Sequence, residues 1–254
     1  MTDNLIRNFW DNQAKEHGAA NTATAPDSAY RDLEIRRILP HIKGKYILDV
    51  GCGNGYSTLK FSQFNPQSWS FTGMDFSAAM IEEAKQADTG HVCNFFCCDI
   101  LNLSPTVQYG TIISERCLIN LKTWEEQRHA IMNMAEALAP GGRIILVENF
   151  TDGLNNLNDL RRLHGLHHIE TRWHNLYLSK APFYDFVHDH FTVTHEENIG
   201  NLYYIISRVV YAALAKQEGK EPEYSHPINF LAAALPSLGT YDFSPNMLYV
   251  LERQ

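Results

Sequence analysis

The sequence predicts an α/β chain, with a doubly wound, mostly parallel seven-stranded sheet, a helical N-terminal segment and helical cap insertions. Three observations carry that expectation. Between residues 44 and 150, apolar runs of strand length alternate with segments of helical period. A glycine cluster follows directly on the first of these runs, and the alternation stops at residue 151.

Residues 1–24, with Phe9 and Trp10 and the small-residue stretch NTATAP, read as a short helix and a loop. Residues 27–39 place Leu33, Ile35, Ile38 and Leu39 at near-helical spacing, with Asp27 available as N-cap and Pro40 closing the run. KYILDV is the first strand, and YSTLKFSQF beyond the glycines is a helix. SWSFTGMD is the second strand, followed by a helix SAAMIEEAKQA that starts at Ser77. HVCNFFCCDI and YGTIISERCLINL are the third and fourth strands, TWEEQRHAIMNMAEALA a helix, and RIILVENF a fifth strand entered through the breaker PGG. Parallel strands joined by helices require helices on both faces of the sheet. Beyond residue 151, NNLNDLRRLHGLHHIETRWHNLYLS is expected to be helical with a histidine-rich polar face. HFTVTHEENI and MLYVLERQ supply two more strands around an apolar helix, NLYYIISRVVYAALAKQ. The expected division is an N-terminal helical lid (1–43), a ligand-binding core (44–150) and a substrate cap carrying the completing strands (151–254).

A chain of 254 residues can bury a sizeable core. With 21 Lys plus Arg against 29 Asp plus Glu, the net charge of −8 argues against a broad nucleic-acid footprint. The five cysteines, at 52, 93, 97, 98 and 117, do not suggest a disulfide framework, so a reducing, cytoplasmic compartment is expected. The start MTDNLIRNFWDNQ lacks the basic and apolar regions of a secretory signal. The longest apolar stretches fall well short of the ~20 residues that span a bilayer, so no membrane partner is expected. No CxxC pair or HExxH is present, and no metal is expected.

The strongest functional signal is DVGCGNGY, residues 49–56. Gly51, Gly53 and Gly55 permit a tight turn and close approach of the backbone to a ligand, and the next helix presents unpaired amides that suit an anionic or zwitterionic group. A plain strand-to-helix connection uses glycine turns too. In the dinucleotide fingerprint the third glycine lies three positions after the second; here it lies two after, and Tyr56 takes the expected place. There is no Walker loop either, so phosphate-rich cofactors are disfavoured.

On DVGCGNG the chain resembles the class I S-adenosylmethionine-dependent methyltransferases, whose first motif is an acidic residue followed by GxGxG. The resemblance covers residues 44–150 and, more loosely, the final strand. It implies a Rossmann-like methyltransferase fold and S-adenosyl-L-methionine as cofactor. It further implies that Gly51, Cys52, Gly53 and Gly55 pass beneath the methionine part, and that Asp49 orders the loop or meets the amino group. Asp75, ending the second strand in GMDFS, is the expected acceptor for the ribose hydroxyls, with a helix cap or solvated turn as its alternative. Phe76 and Met80 pack on the adenine or belong to the core. Asp99 in CCDI resembles the residue that meets the adenine amino group, with the Ile100 amide beside it. Ser114, Glu115 and Arg116 end the fourth strand, where the family lines the cofactor and opens toward substrate, and Trp10 and Tyr30 belong to a segment that closes over the site.

Methyl transfer from a sulfonium is an in-line displacement, so the protein must align an electron-rich atom with the methyl and exclude water. A base is needed only where the nucleophile begins protonated. Candidate catalytic residues are Glu115 and Glu148 at strand ends, and His174 and His195 among the histidines, which also include His164, His167 and His168. Tyr30, Asn149, Arg161, His164, His168, Trp173, His174, Asn175 and Tyr204 are candidates for holding a small polar substrate, with nitrogen or oxygen preferred as the acceptor atom. A solvated helix face is the alternative reading of the segment from 148 to 178. A cofactor-binding regulator without turnover and an NAD-dependent oxidoreductase are the competing functions; the latter is disfavoured by the glycine spacing and the lack of a YxxxK pair. Without an NPPY tetrad, nucleic acid is not an expected acceptor. The apolar C-terminal helix leaves two arrangements open, packing within the subunit or a homodimer across a two-fold axis.

Overall fold

The computed structural model describes residues 2–65, 67–104, 106–237 and 242–254. Strands β1 (Tyr46–Val50), β2 (Ser70–Asp75), β3 (Cys93–Cys97), β4 (Tyr109–Glu115) and β5 (Leu138–Asn149) are parallel. β7 (Asn246–Arg253) lies antiparallel between β5 and β6 (Phe191–Glu197), giving a seven-stranded sheet of order β3-β2-β1-β4-β5-β7-β6. The two-residue period of the strands divides their apolar side chains between the faces. Leu48, Val50, Ile112, Ile144 and Leu146 enter one buried cluster, while Ile47, Ile113, Ile145 and Val147 enter the other. Helices cover both clusters, including α5 (Trp124–Glu136) and α7 (Lys180–His190) on the first, and α2 (Ser28–Ile38) and α3 (Tyr56–Ser62) on the second.

The order reverses between β1 and β4. Connections from these strands leave in opposite directions, which opens a crevice at the carboxyl ends of the sheet. The expected caps form: Asp27 accepts from the Tyr30 amide at 3.1 Å, and Ser77 accepts from the Met80 amide at 3.1 Å to start α4 (Ala78–Ala87). The N-terminal helix α1 (Thr2–His17) is longer than the short helix expected and packs on α4. The Asn54 amide of the glycine loop ties the chain after α1 by donating to the carbonyls of Gly18 and Ala20, at 2.9 and 2.8 Å.

Three expectations are corrected. β4 ends at Glu115, where Arg116 turns into the left-handed region (φ 55°), instead of continuing to residue 121. The helix expected beyond residue 155 is α6 (Thr151–Leu163) and stops there, because Gly165 takes φ 64° and breaks the ladder. The chain beyond it is irregular and is pinned by Asn158, whose side chain exchanges two hydrogen bonds with the Ile169 backbone. Helices α7 and α10 (Pro227–Ala233) were not expected; α7 buries only Phe183 and Val187, too few residues for a periodic signal. The apolar helix appears as α8 (Asn201–Tyr204), a π-helical stretch (Ile205–Val210) and α9 (Tyr211–Gln217), with Val210 and Leu214 exposed. No helix among the described residues is long and apolar enough to cross a membrane.

Candidate functional site

Two chambers occupy the crevice. The first, about 1060 Å³ with its mouth, has a floor of Val50, Gly51, Gly53 and Met74 and walls that include Asp75, Asp99 and Glu115. The glycine loop can serve as floor because its backbone lies where side chains would not fit. Gly51 and Gly53 hold φ of 71° and 55°, and a Cβ on them would stand 2.6 Å from Cys117 and 2.7 Å from Thr24.

Asp75 ends β2 with both carboxylate oxygens engaged, accepting from the Ser77 amide at 2.8 Å and the Gly53 amide at 2.9 Å. Burial raises it to about 6 against those hydrogen bonds. Asp99 accepts from the Leu101 amide at 3.0 Å, and apolar Met80, Ile100 and Leu101 surround it in the chamber wall. Glu115 is different: both of its oxygens are buried without a hydrogen-bond partner. A buried carboxylate in that condition is a built-in demand for a donor. Arg31, from α2, also lines this chamber and is held by a 3.0 Å bond from its Nε to Ser57 Oγ.

The second chamber, about 900 Å³ with its mouth, lies under the irregular segment and the C-terminal helices. Tyr30, Asn149, His174, Asn175 and Tyr204 line it, together with Asp27, Arg116, Tyr177, Arg208 and Tyr224. Burial, and then the charge of Arg172, lowers His174 to about 4, so its ring is neutral across the physiological range. The ring stacks on Phe9 at 4.3 Å and its Nδ1 has no partner. Arg208, in the π-helical stretch, pairs with Asp27 and lies over the Tyr224 ring at 4.8 Å. Trp10, Thr24, Arg116 and Asn120 line both chambers and mark their junction.

Several expected site residues stand elsewhere. Asp49 is buried beneath the loop and accepts from Thr58 Oγ1 at 2.5 Å, a position that orders the loop and does not line either chamber. Cys52 and Gly55 are likewise packed behind the loop, Gly55 against Ala84 and Phe95 and Cys52 against Gly73. Ser114 donates to Glu148 at 2.8 Å, and Glu148 also accepts from the amides of Cys117 and Leu118, both at 3.1 Å. That pair braces the turn after β4, so Glu148 is not placed as a base. His195 sits on the edge strand β6, stacked on His41 at 4.4 Å and 3.4 Å from Glu197, away from both chambers. Arg161 is turned to the backbone carbonyls of His167 and Arg208. His164 and His168 are exposed, and Trp173 packs its edge on Phe9 with 66% of its surface free. Tyr30 faces the second chamber and not the first.

The sequence reading passed over Asn120, Arg208 and Tyr224 as site residues, whereas Arg116 was expected at the end of the fourth strand and Tyr177 within the polar segment from 148 to 178. The left-handed turn that aims Arg116 uses no glycine or asparagine, so its conformation had no local signal.

A family model described as a methyltransferase domain matches residues 47–142. Over that stretch the chain carries a methyltransferase domain, as the DVGCGNG motif led one to expect. This methyltransferase domain is 32% identical over 114 residues to the mouse (Mus musculus) protein named probable tRNA methyltransferase 9B, covering 44% of the chain and 24% of that relative. It is 27% identical over 168 residues to O-methyltransferase rstn1 of Aspergillus nomiae, covering 63% of the chain and 70% of the relative. The chain thus spans only about a quarter of the length of the mouse relative. The methyltransferase fold is shared with the crystal structure of magnesium protoporphyrin IX methyltransferase from Synechocystis PCC 6803 with bound SAH (TM-score 0.62, 15% identity, 99% of this chain and 100% of that one).

Proposed function

We propose that the protein transfers the methyl group of S-adenosylmethionine to a small polar acceptor held in the second chamber. The observation that carries this reading is the meeting of a glycine-floored chamber and a polar, aromatic-lined chamber at Trp10, Thr24, Arg116 and Asn120. A donor in one and an acceptor in the other would face each other there.

The residues of the first chamber fit the cofactor. Asp75 would accept the ribose hydroxyls, and Asp99 with the Ile100 amide would meet the adenine between Met80 and Leu101. The bare oxygens of Glu115 suit the ammonium of the methionine part, and Arg31 suits its carboxylate. When bound, the cofactor supplies an electrophilic methyl on a sulfonium. The chain's own residues then orient the acceptor, hold it in line and keep water out. His174, neutral and with a free Nδ1, supports acceptance of a hydrogen bond from the acceptor or its surroundings.

A small acceptor is favoured over nucleic acid by the polar, aromatic-lined second chamber and by the net charge of −8. The five thiols are all free, which supports a reducing, cytoplasmic setting. The decisive test is calorimetric titration with S-adenosylmethionine and S-adenosylhomocysteine, with NAD as contrast and Asp75→Ala as control. Micromolar binding that Asp75→Ala abolishes is the expected result; preference for NAD would overturn the assignment. Bulk tRNA as an acceptor, with incorporation of methyl label, tests the nucleic-acid alternative directly.

A further inference from the structure

The proposed transfer leaves open the chemical class of the acceptor, and the junction between the chambers bears on it. Its four residues offer an indole, a hydroxyl, a guanidinium and a primary amide. None can take up a proton near neutral pH. The wider second chamber adds little basicity beyond Glu170, an exposed carboxylate in its lining. His174 is held at about 4 by burial and by Arg172. Asp27 is already engaged by the Tyr30 amide, the Tyr203 hydroxyl and Arg208. Burial pushes the hydroxyls of Tyr177 and Tyr204 up, so neither supplies a phenolate. A phenol or an ammonium acceptor would arrive with a proton that must leave, whereas a carboxylic acid, with an ordinary pKa of about 4, is an anion already.

The same region is provided with cations. Arg116 stands at the junction with Nη1 on Glu34 at 2.7 Å and Nη2 buried without a partner. Its backbone is held at φ 55° at the end of β4, an uncommon conformation for arginine that brings the side chain to the boundary of the two chambers. Arg172, an exposed residue, lines the second chamber and enters no ion pair among the described residues. A guanidinium that keeps one buried amino nitrogen unsatisfied gains most from a planar, bidentate anion.

Resting on the methyl-transfer reading, we infer that the acceptor is a small carboxylic acid, seated by Arg116 at the junction and methylated on a carboxylate oxygen. In the transfer, that oxygen attacks the methyl carbon. The C–O bond forms as the C–S bond breaks, and the electron pair of the broken bond stays on sulfur. The products are a methyl ester and S-adenosylhomocysteine. The acceptor's negative charge and the sulfonium's positive charge cancel, so no proton is released and no base is required.

The test supplies the full-length protein with methyl-radiolabelled S-adenosylmethionine and the dialysable small-molecule fraction of a cell extract, so that the bond is read before the compound is known. Methyl esters release their label as volatile methanol in mild alkali, whereas ethers and methylamines do not. Base-volatile label is the expected result; base-stable label, or no label transferred, overturns the inference. S-Adenosylhomocysteine binding is measured on the same sample, so that loss of the cofactor reading (no binding) is distinguished from loss of this one (binding with base-stable label). For an acid identified in this way, Arg116→Gln should raise KM on the order of tenfold while the calorimetric affinity for S-adenosylhomocysteine changes by less than about threefold. The reverse pattern would assign Arg116 to the cofactor and overturn the proposal. Should that variant fail to fold, the wild-type label assay and a count of protons released per turnover, expected to be zero, decide it alone.

Discussion

The indole Nε1 of Trp10 donates a 3.0 Å hydrogen bond to Asn120 Oδ1 across 110 positions of sequence, joining the N-terminal helix to the turn after β4. Asn120 passes the connection on, its Nδ2 donating to the Arg116 carbonyl at 2.9 Å. The helix that roofs the first chamber and the turn that carries the junction arginine are thereby one mechanical unit. Trp10→Phe keeps a six-membered ring at the position and removes the donor together with the five-membered part of the indole. Loss of one such bond costs about 1 kcal/mol, so S-adenosylhomocysteine affinity should fall roughly fivefold. A calorimetric double-mutant cycle with Asn120→Ala checks it: additive losses would show that the bond is not coupled to binding.

Gly51→Ala meets two obstacles, a positive φ of 71° and the Cys117 side chain 2.6 Å from the new Cβ. Gly141 has a similar φ of 69° with nothing within 4 Å of its Cβ, and so carries only the first. Gly141→Ala should cost about 1 kcal/mol in urea unfolding, and Gly51→Ala clearly more, about 2–3 kcal/mol, with cofactor binding lost. Equal costs would mean that Cys117 yields freely.

Glu148 gives the protein a pH dependence of definite sign. Burial raises it from 4.5 to about 8, against the hydrogen bonds it accepts from Leu118, Ser114 and Cys117. Between those values the folded state holds a proton that the unfolded chain has released. Stability contributed by this group is therefore complete below pH 4.5 and is lost as pH rises toward about 8. The steepest slope one group can give is about 1.4 kcal/mol per pH unit. Asp75, raised from 3.8 to about 6, adds to the fall at the lower end. Urea midpoints of the ligand-free protein should decline from pH 6 to 8, and Glu148→Gln, neutral and of the same shape, should flatten that decline. An unchanged slope in the variant would place the proton elsewhere.

His195→Ala should leave methyl transfer within about twofold of the parent, since the ring stacks on His41 at the edge strand and reaches neither chamber. A loss of an order of magnitude in kcat, measured with saturating cofactor, would contradict that placement.

The alternation from residue 44 to 150 and the two final strands were legible because each rests on local rules: strand-length apolar runs, caps at Asp27 and Ser77, and turn residues at the glycine loop. The position of Asp75, Asp99 and Glu115 on the wall of the first chamber was equally legible, since a residue at the carboxyl end of a parallel strand is placed by the strand itself. Glu148, His195 and Arg161 had the chemistry of site residues, but which side they face depends on packing that no local pattern encodes. The sequence by itself determined the strand-and-helix alternation and the glycine floor, through periodicity and the steric freedom of glycine. Only the tertiary structure decided which polar groups meet. Trp10, Arg116 and Arg208 come from the N-terminal helix, a left-handed turn and a π-helical stretch, and their convergence is set by long-range packing rather than by spacing along the chain.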